Sequence, residues 1–147
     1  MPWCSGVQTF PSWELTVPGY PAAVPALITA LRDQDEDVRA YAALALGDIG
    51  KRTATSALVE RIREDIVPQV RGFAAMALGK LRDPKSLAPL ITQVGKEKDA
   101  KALAAAIHAL GELGDASAVP VITPHLEHAS PDVREYAKDA LKRLKKG

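Results

Sequence analysis

Val38-Arg39-Ala40-Tyr41-Ala42-Ala43-Leu44-Ala45-Leu46-Gly47-Asp48-Ile49 is the stretch whose reading decides the fold. Val38, Ala42, Ala45, Leu46 and Ile49 fall at i, i+4, i+7, i+8 and i+11, the apolar stripe of an amphipathic helix. Ala45-Leu46-Gly47 returns 32 residues later as Ala77-Leu78-Gly79 and again as Ala109-Leu110-Gly111; Ala140-Leu141-Lys142 follows 31 after that. The whole stripe travels with each block, as Val70, Ala74, Ala77, Leu78, Leu81, then Ala102, Ala106, Ala109, Leu110, Leu113, then Val133, Ala137, Ala140, Leu141, Leu144. Self-similarity at such a period is the signature of stacked repeats.

A shorter stripe precedes each long one: Leu27 and Leu31, Leu58 and Ile62, Leu90 and Val94, Ile122 and Leu126. Each unit is therefore two helices joined by a turn. The spacing predicts helices over 22–32 and 36–49, 55–64 and 68–81, 86–95 and 99–113, and 117–128 and 132–145. Acidic residues Asp33, Asp35 and Glu36 sit where the second helix begins, and Ser130-Pro131-Asp132 supplies a cap and then a proline at the first helical position. The expected fold is all-α, a right-handed solenoid of four helical hairpins over about 22–50, 51–83, 84–115 and 116–147.

Asp37-Val38-Arg39 with Ala45-Leu46-Gly47, Val70-Arg71 with Ala77-Leu78-Gly79, and Asp132-Val133-Arg134 with Ala140-Leu141 resemble the HEAT repeat, in the short form found among phycobilisome-lyase relatives. The resemblance implies that Arg39, Arg71 and Arg134 tie neighbouring repeats through acidic turn residues. Repeat three departs from it, with Leu103 where the arginine would be, so that tie is expected to be missing there. The resemblance also implies that the second helices line a concave face.

The chain has 147 residues, 47% of them hydrophobic and 25% charged, enough for one domain with a sizeable core. A net charge of +1 supplies no bulk field toward nucleic acid or an anionic membrane, and no nucleic-acid partner is expected. No apolar run approaches the ~18 residues of a membrane span. The single cysteine, Cys4, excludes an internal disulfide framework and fits a reducing, cytoplasmic setting.

Gly47, Gly79 and Gly111 lie inside helices, where glycine costs about 0.5–1 kcal/mol against alanine. Close approach of the next repeat is the expected reason. Lys142 holds the same position in repeat four, which implies that nothing stacks on it. Residues 1–21 carry four of the seven aromatics, Trp3, Phe10, Trp13 and Tyr20, among Pro2, Pro11, Pro18 and Pro21. They are expected to form an irregular cap over the apolar first helix. Docking in a groove of the same or a neighbouring molecule, partial disorder and a non-native leader stay open, and the groove alternative would allow self-association.

Positions off the core stripe mark the groove: Tyr41, Leu44 and Asp48; Phe73, Met76 and Lys80; Ala105, His108 and Glu112; Tyr136, Asp139 and Arg143. Leu44 and Met76, with Tyr41 and Phe73, predict an apolar strip across repeats one and two, the kind of surface that takes a protein or peptide. His125 and His128 are i, i+3 at a helix end, too few ligands for a metal site. The sequence lacks a phosphate-binding glycine loop, a Gly-x-Ser-x-Gly elbow and the His-Glu dipeptides with which the HEAT-like deoxyhypusine hydroxylases hold iron. The reading is a non-enzymatic protein-interaction scaffold without a cofactor. A bilin lyase-like or lyase-accessory protein and an engineered repeat protein are the alternatives.

Overall fold

Each of the four long stripes lies on a helix in the computed structural model, which describes residues 21–146. The helices pair in order: α1 (Val24–Ala30) with α2 (Glu36–Ile49), α3 (Thr55–Glu64) with α4 (Pro68–Leu81), α5 (Leu87–Lys96) with α6 (Ala100–Leu113), and α7 (Val119–Ile122) with α8 (Pro131–Lys146). Among the described residues there is no strand. The aromatic leader residues Trp3, Phe10, Trp13 and Tyr20 lie outside the described residues.

Local chemistry sets the ends. Asp35 accepts from the Asp37 N–H to cap α2, and Asp99 accepts from the Ala102 N–H to cap α6. Gly50 and Gly114 close α2 and α6 in the left-handed region, at φ 81° and 74°, where a side chain would be strained. Arg82 takes that conformation at the end of α4, and its carbonyl receives the Arg52 guanidinium at 2.9 Å.

The second helices stack in sequence, α2 on α4 on α6 on α8, while α3, α5 and α7 form a second row behind them. Between the rows lies a core of Leu46, Leu58, Ile62, Leu78, Leu90, Leu110 and Ile122, all essentially inaccessible to solvent. The helical glycines explain the closeness of the stack. A Cβ built on Gly47 would stand 2.8 Å from the Ala77 Cα; on Gly79, 3.0 Å from the Ala109 Cα; on Gly111, 3.1 Å from the Ala140 Cα. The face each helix turns to the next repeat follows from those contacts. It is Ala40, Ala43 and Gly47 on α2, Gly72, Ala75 and Gly79 on α4, and Ala104, Ile107 and Gly111 on α6, all buried. The corresponding residues of α8 are Glu135, Lys138 and Lys142, all exposed.

Three departures from the sequence reading have physical causes. The helix expected over 117–128 is split: α7 lasts one turn and Thr123–Glu127 continues as 3-10 helix. Pro124 has no N–H to give to Pro120, and its ring crowds the carbonyl there, so the α ladder stops. At the first end, α-helix is confined to Val24–Ala30, after a 3-10 turn over Pro21–Ala23. Val38, placed in the core stripe, is 39% exposed, whereas Val70 and Val133 are fully buried. Ala102, at the same position in repeat three, lies against Gly72 of the repeat before it, a neighbour that Val38 lacks among the described residues.

Candidate partner-binding surface

Two kinds of side chain leave the second helices away from the core. The first is a row at equivalent positions, Tyr41, Phe73, Ala105 and Tyr136. Tyr41 is 66% exposed and Tyr136 44%, while Phe73 is half-buried. Ala105 is the small member, and it leaves a gap in an otherwise aromatic row. Two open depressions meet at that gap. One of about 440 Å³ lies between α4 and α6 and is lined by Phe73, Met76, Gly72, Ala102 and Ala105. The other, of about 380 Å³, lies between α6 and α8 and is lined by Met76, Ala104, Ala105, His108 and Tyr136. Lys101 borders both, and it has no ionic partner among the described residues. The His108 imidazole meets the Tyr136 ring edge-on at 5.7 Å, a favoured aromatic geometry.

The second kind is a rail of alternating charge: Asp48, Lys80, Glu112 and Arg143. Lys80 Nζ lies 2.6 Å from Asp48 Oδ1. Glu112 receives Arg143 and, at 3.4 Å each, Arg82 and His108. Burial works to raise the Glu112 carboxyl, but the Arg143 hydrogen bond and charge, with His108 and Arg82, outweigh it and hold the group below the usual carboxylate range. Asp48 and Lys80, picked from the sequence as partner contacts, therefore spend their charge on each other, and Glu112 spends its own on Arg143, Arg82 and His108. The sequence reading missed this rail; opposite charges at one register position of successive repeats are the signal that would have found it.

The remaining candidates fall as follows. Met76 is 37% exposed and opens into both depressions, while Leu44 is half-buried. The two depressions lie over repeats two to four. Arg39 grips Asp65 through two N–H groups at 2.8 and 3.1 Å, and its third nitrogen donates to the Asp33 and Gln34 carbonyls. Arg71 repeats the arrangement on Glu97, at 2.7 and 3.0 Å, and donates to the Asp65 carbonyl. Such forked pairs fix geometry as well as contributing energy. Arg134 donates only within its own turn, to the His128 and Ala129 carbonyls.

Among the described residues no three His, Cys, Asp or Glu side chains gather as metal ligands. His125 and His128 are half-buried with ring centroids 5.9 Å apart, and burial, followed by the charge of His128, lowers the His125 pKa. No described helix is long and apolar enough to cross a membrane.

The HEAT repeats family matches the chain over residues 13–70 and 64–142. A chain of the CpcE–CpcF complex of phycocyanin lyase from Nostoc sp. PCC7120 superposes with a TM-score of 0.78 at 30% identity, covering 92% of this chain and 56% of that one. Human deoxyhypusine hydroxylase gives 0.72 at 21% identity, over 90% of this chain and 46% of that one. A designed armadillo repeat protein in complex with the peptide (KR)4 gives 0.69 at 19% identity, over 90% and 72%. The last two likenesses concern the fold alone. The chain spans about half the length of the first two matched chains. The sequence matches none of the curated proteins with which it was compared. The repeated stripe, the stacked hairpins and these matches agree that the chain belongs to the HEAT repeat family, with similarity to its phycobilisome-lyase type.

Proposed function

We propose that the chain is a non-enzymatic scaffold that takes a protein or peptide on the face made by α2, α4, α6 and α8, which we read as concave. The observation that carries this reading is the gap at Ala105. A bulky apolar side chain fits between Phe73 and Tyr136, over the alanine floor and beside Met76. Tyr41 continues the contact row toward repeat one, and His108 and Lys101 offer polar contacts at the edge. The self-paired rail bounds the hollow on its other side and limits what charged partners gain there, because its ions are already satisfied.

Panning a displayed random-peptide library on the protein tests this. Enriched peptides should share a large apolar residue and lose at least about tenfold in affinity, roughly 1.4 kcal/mol, when Ala105→Trp fills the gap. Circular dichroism melting should show the variant folded. No enrichment, or binders indifferent to both Ala105→Trp and Met76→Glu, overturns the reading.

The likeness to the lyase complex favours one second reading, a lyase-like or lyase-accessory role in handling a bilin. It predicts a changed visible spectrum when the protein is mixed with free bilin. An unaltered spectrum at saturating protein removes it.

A further inference from the structure

We infer that the joint between repeats three and four is an adjustable one, so that repeat four acts as a movable wall of the hollow over Ala105. This inference stands apart from what occupies the hollow, because it rests on a comparison of the three joints.

Joint one–two carries the Arg39–Asp65 fork, the Lys80–Asp48 pair and an Arg32–Glu60 pair at 3.2 Å. Joint two–three carries the Arg71–Glu97 fork and the Arg82–Glu112 pair. At joint three–four both partners of the fork are replaced together. Leu103 stands at the arginine position, and His128 stands at the position of Asp65 and Glu97. His128 Nδ1 is used within its own turn, accepting from the Ser130 N–H at 3.0 Å. What remains between the two repeats, among the described residues, is the Arg143–Glu112 pair at the exposed rim, the edge-on His108–Tyr136 contact, a hydrogen bond from the His125 ring to the Val94 carbonyl and an apolar contact, none of them a forked ion pair. The apolar contact is enlarged, with Leu103 and Ile107 fully buried where α4 has Arg71 and Ala75.

The consequence concerns direction rather than strength. A forked ion pair holds two helices at one register and angle, whereas apolar burial is non-directional and rewards only the area removed from water. Repeat four is thus held without the fork that fixes register and angle at the other two joints. Tyr136 rides on α8, while Phe73 and Met76 ride on α4, so rotation at this joint changes the width of the hollow between them.

Spin labels at equivalent turn positions read this directly. Gln34, Ile66, Lys98 and Ala129 are all exposed and occupy the same place in successive turns. With Cys4 changed to Ser, the pair Gln34→Cys/Lys98→Cys spans the first two joints, and Ile66→Cys/Ala129→Cys spans the last two. Electron–electron double resonance should give a distance distribution on the order of twice as broad for the second pair, as expected for an element with several accessible arrangements. Adding Leu103→Arg with His128→Asp should narrow it toward the first, and neither change alone should do so. Equal widths for the two pairs in the otherwise native chain overturn the inference, and that comparison decides it even if the Leu103/His128 variant does not fold. A broad second distribution left unchanged by a folded double variant also overturns it, because the missing fork would then not be the cause.

Discussion

Asp65 shows how much a single residue does here. It is buried, receives both prongs of Arg39 and a third bond from Arg61 at 3.2 Å, and accepts from the Val67 N–H at 3.0 Å. Burial by itself would raise its pKa. The Arg39 and Val67 hydrogen bonds, the Arg39 charge and the Arg61 bond outweigh that and hold the carboxyl below its usual value. A folded-state pKa below the unfolded one contributes stability that is complete above about pH 4 and disappears as pH falls through the folded-state value. Asp65→Asn should therefore lower the melting temperature at neutral pH, and its melting temperature should fall less steeply than the native one below about pH 4. Parallel curves for the two proteins would show that the pair contributes nothing. The tying role of Arg39 and Arg71 was legible through the HEAT resemblance. Their partners Asp65 and Glu97 were not, because the pairing joins turns of different repeats and depends on how far one hairpin is offset on the next. The half-burial of Leu44 was not legible for a related reason: helical phase says which way a residue points, not how deeply its neighbours cover it.

At the scale of the element, the second helices were readable almost to the residue. Their stripes are long, and their caps are explicit in Asp35, Asp99, Gly50 and Gly114. The first helices are shorter and depend on few apolar residues, so one proline was enough to change α7. The glycine seam supplies a prediction here. Gly79→Ala places a methyl group 3.0 Å from the Ala109 backbone, which cannot yield as a flexible side chain would. It should destabilise by about 1–3 kcal/mol through overpacking. Gly95→Ala in α5 meets nothing within 4 Å and keeps an ordinary helical φ. It should stabilise by about 0.5–1 kcal/mol. Urea melts of the two variants check the pair, and a shift of the same sign in both would refute the close-approach account.

On the scale of the whole molecule, a stack in which each unit touches only its neighbours has a stability that is a sum over units and joints. The three joints are not alike. Two are registered by forked ion pairs, and the third lacks the fork and lies beside the hollow. Repetition made the architecture legible from one helix. The individuality of the joints was legible only in part, at Leu103, because the loss of a tie shows in sequence as one ordinary leucine. Replacement of an acid by His128 gained meaning once the three joints were compared in space.

The buried faces of α2, α4 and α6 have one more implication. Ala40, Ala43 and Gly47, or Gly72, Ala75 and Gly79, form a coupling that accepts the same kind of helix from the next unit. A middle unit such as residues 51–83 carries a compatible surface on both sides. Copying it in tandem would lengthen the array without creating a new interface. The last unit has no such freedom, because Glu135, Lys138 and Lys142 would be driven against a neighbouring backbone. Length in this architecture is therefore a modular quantity, open to duplication in the interior.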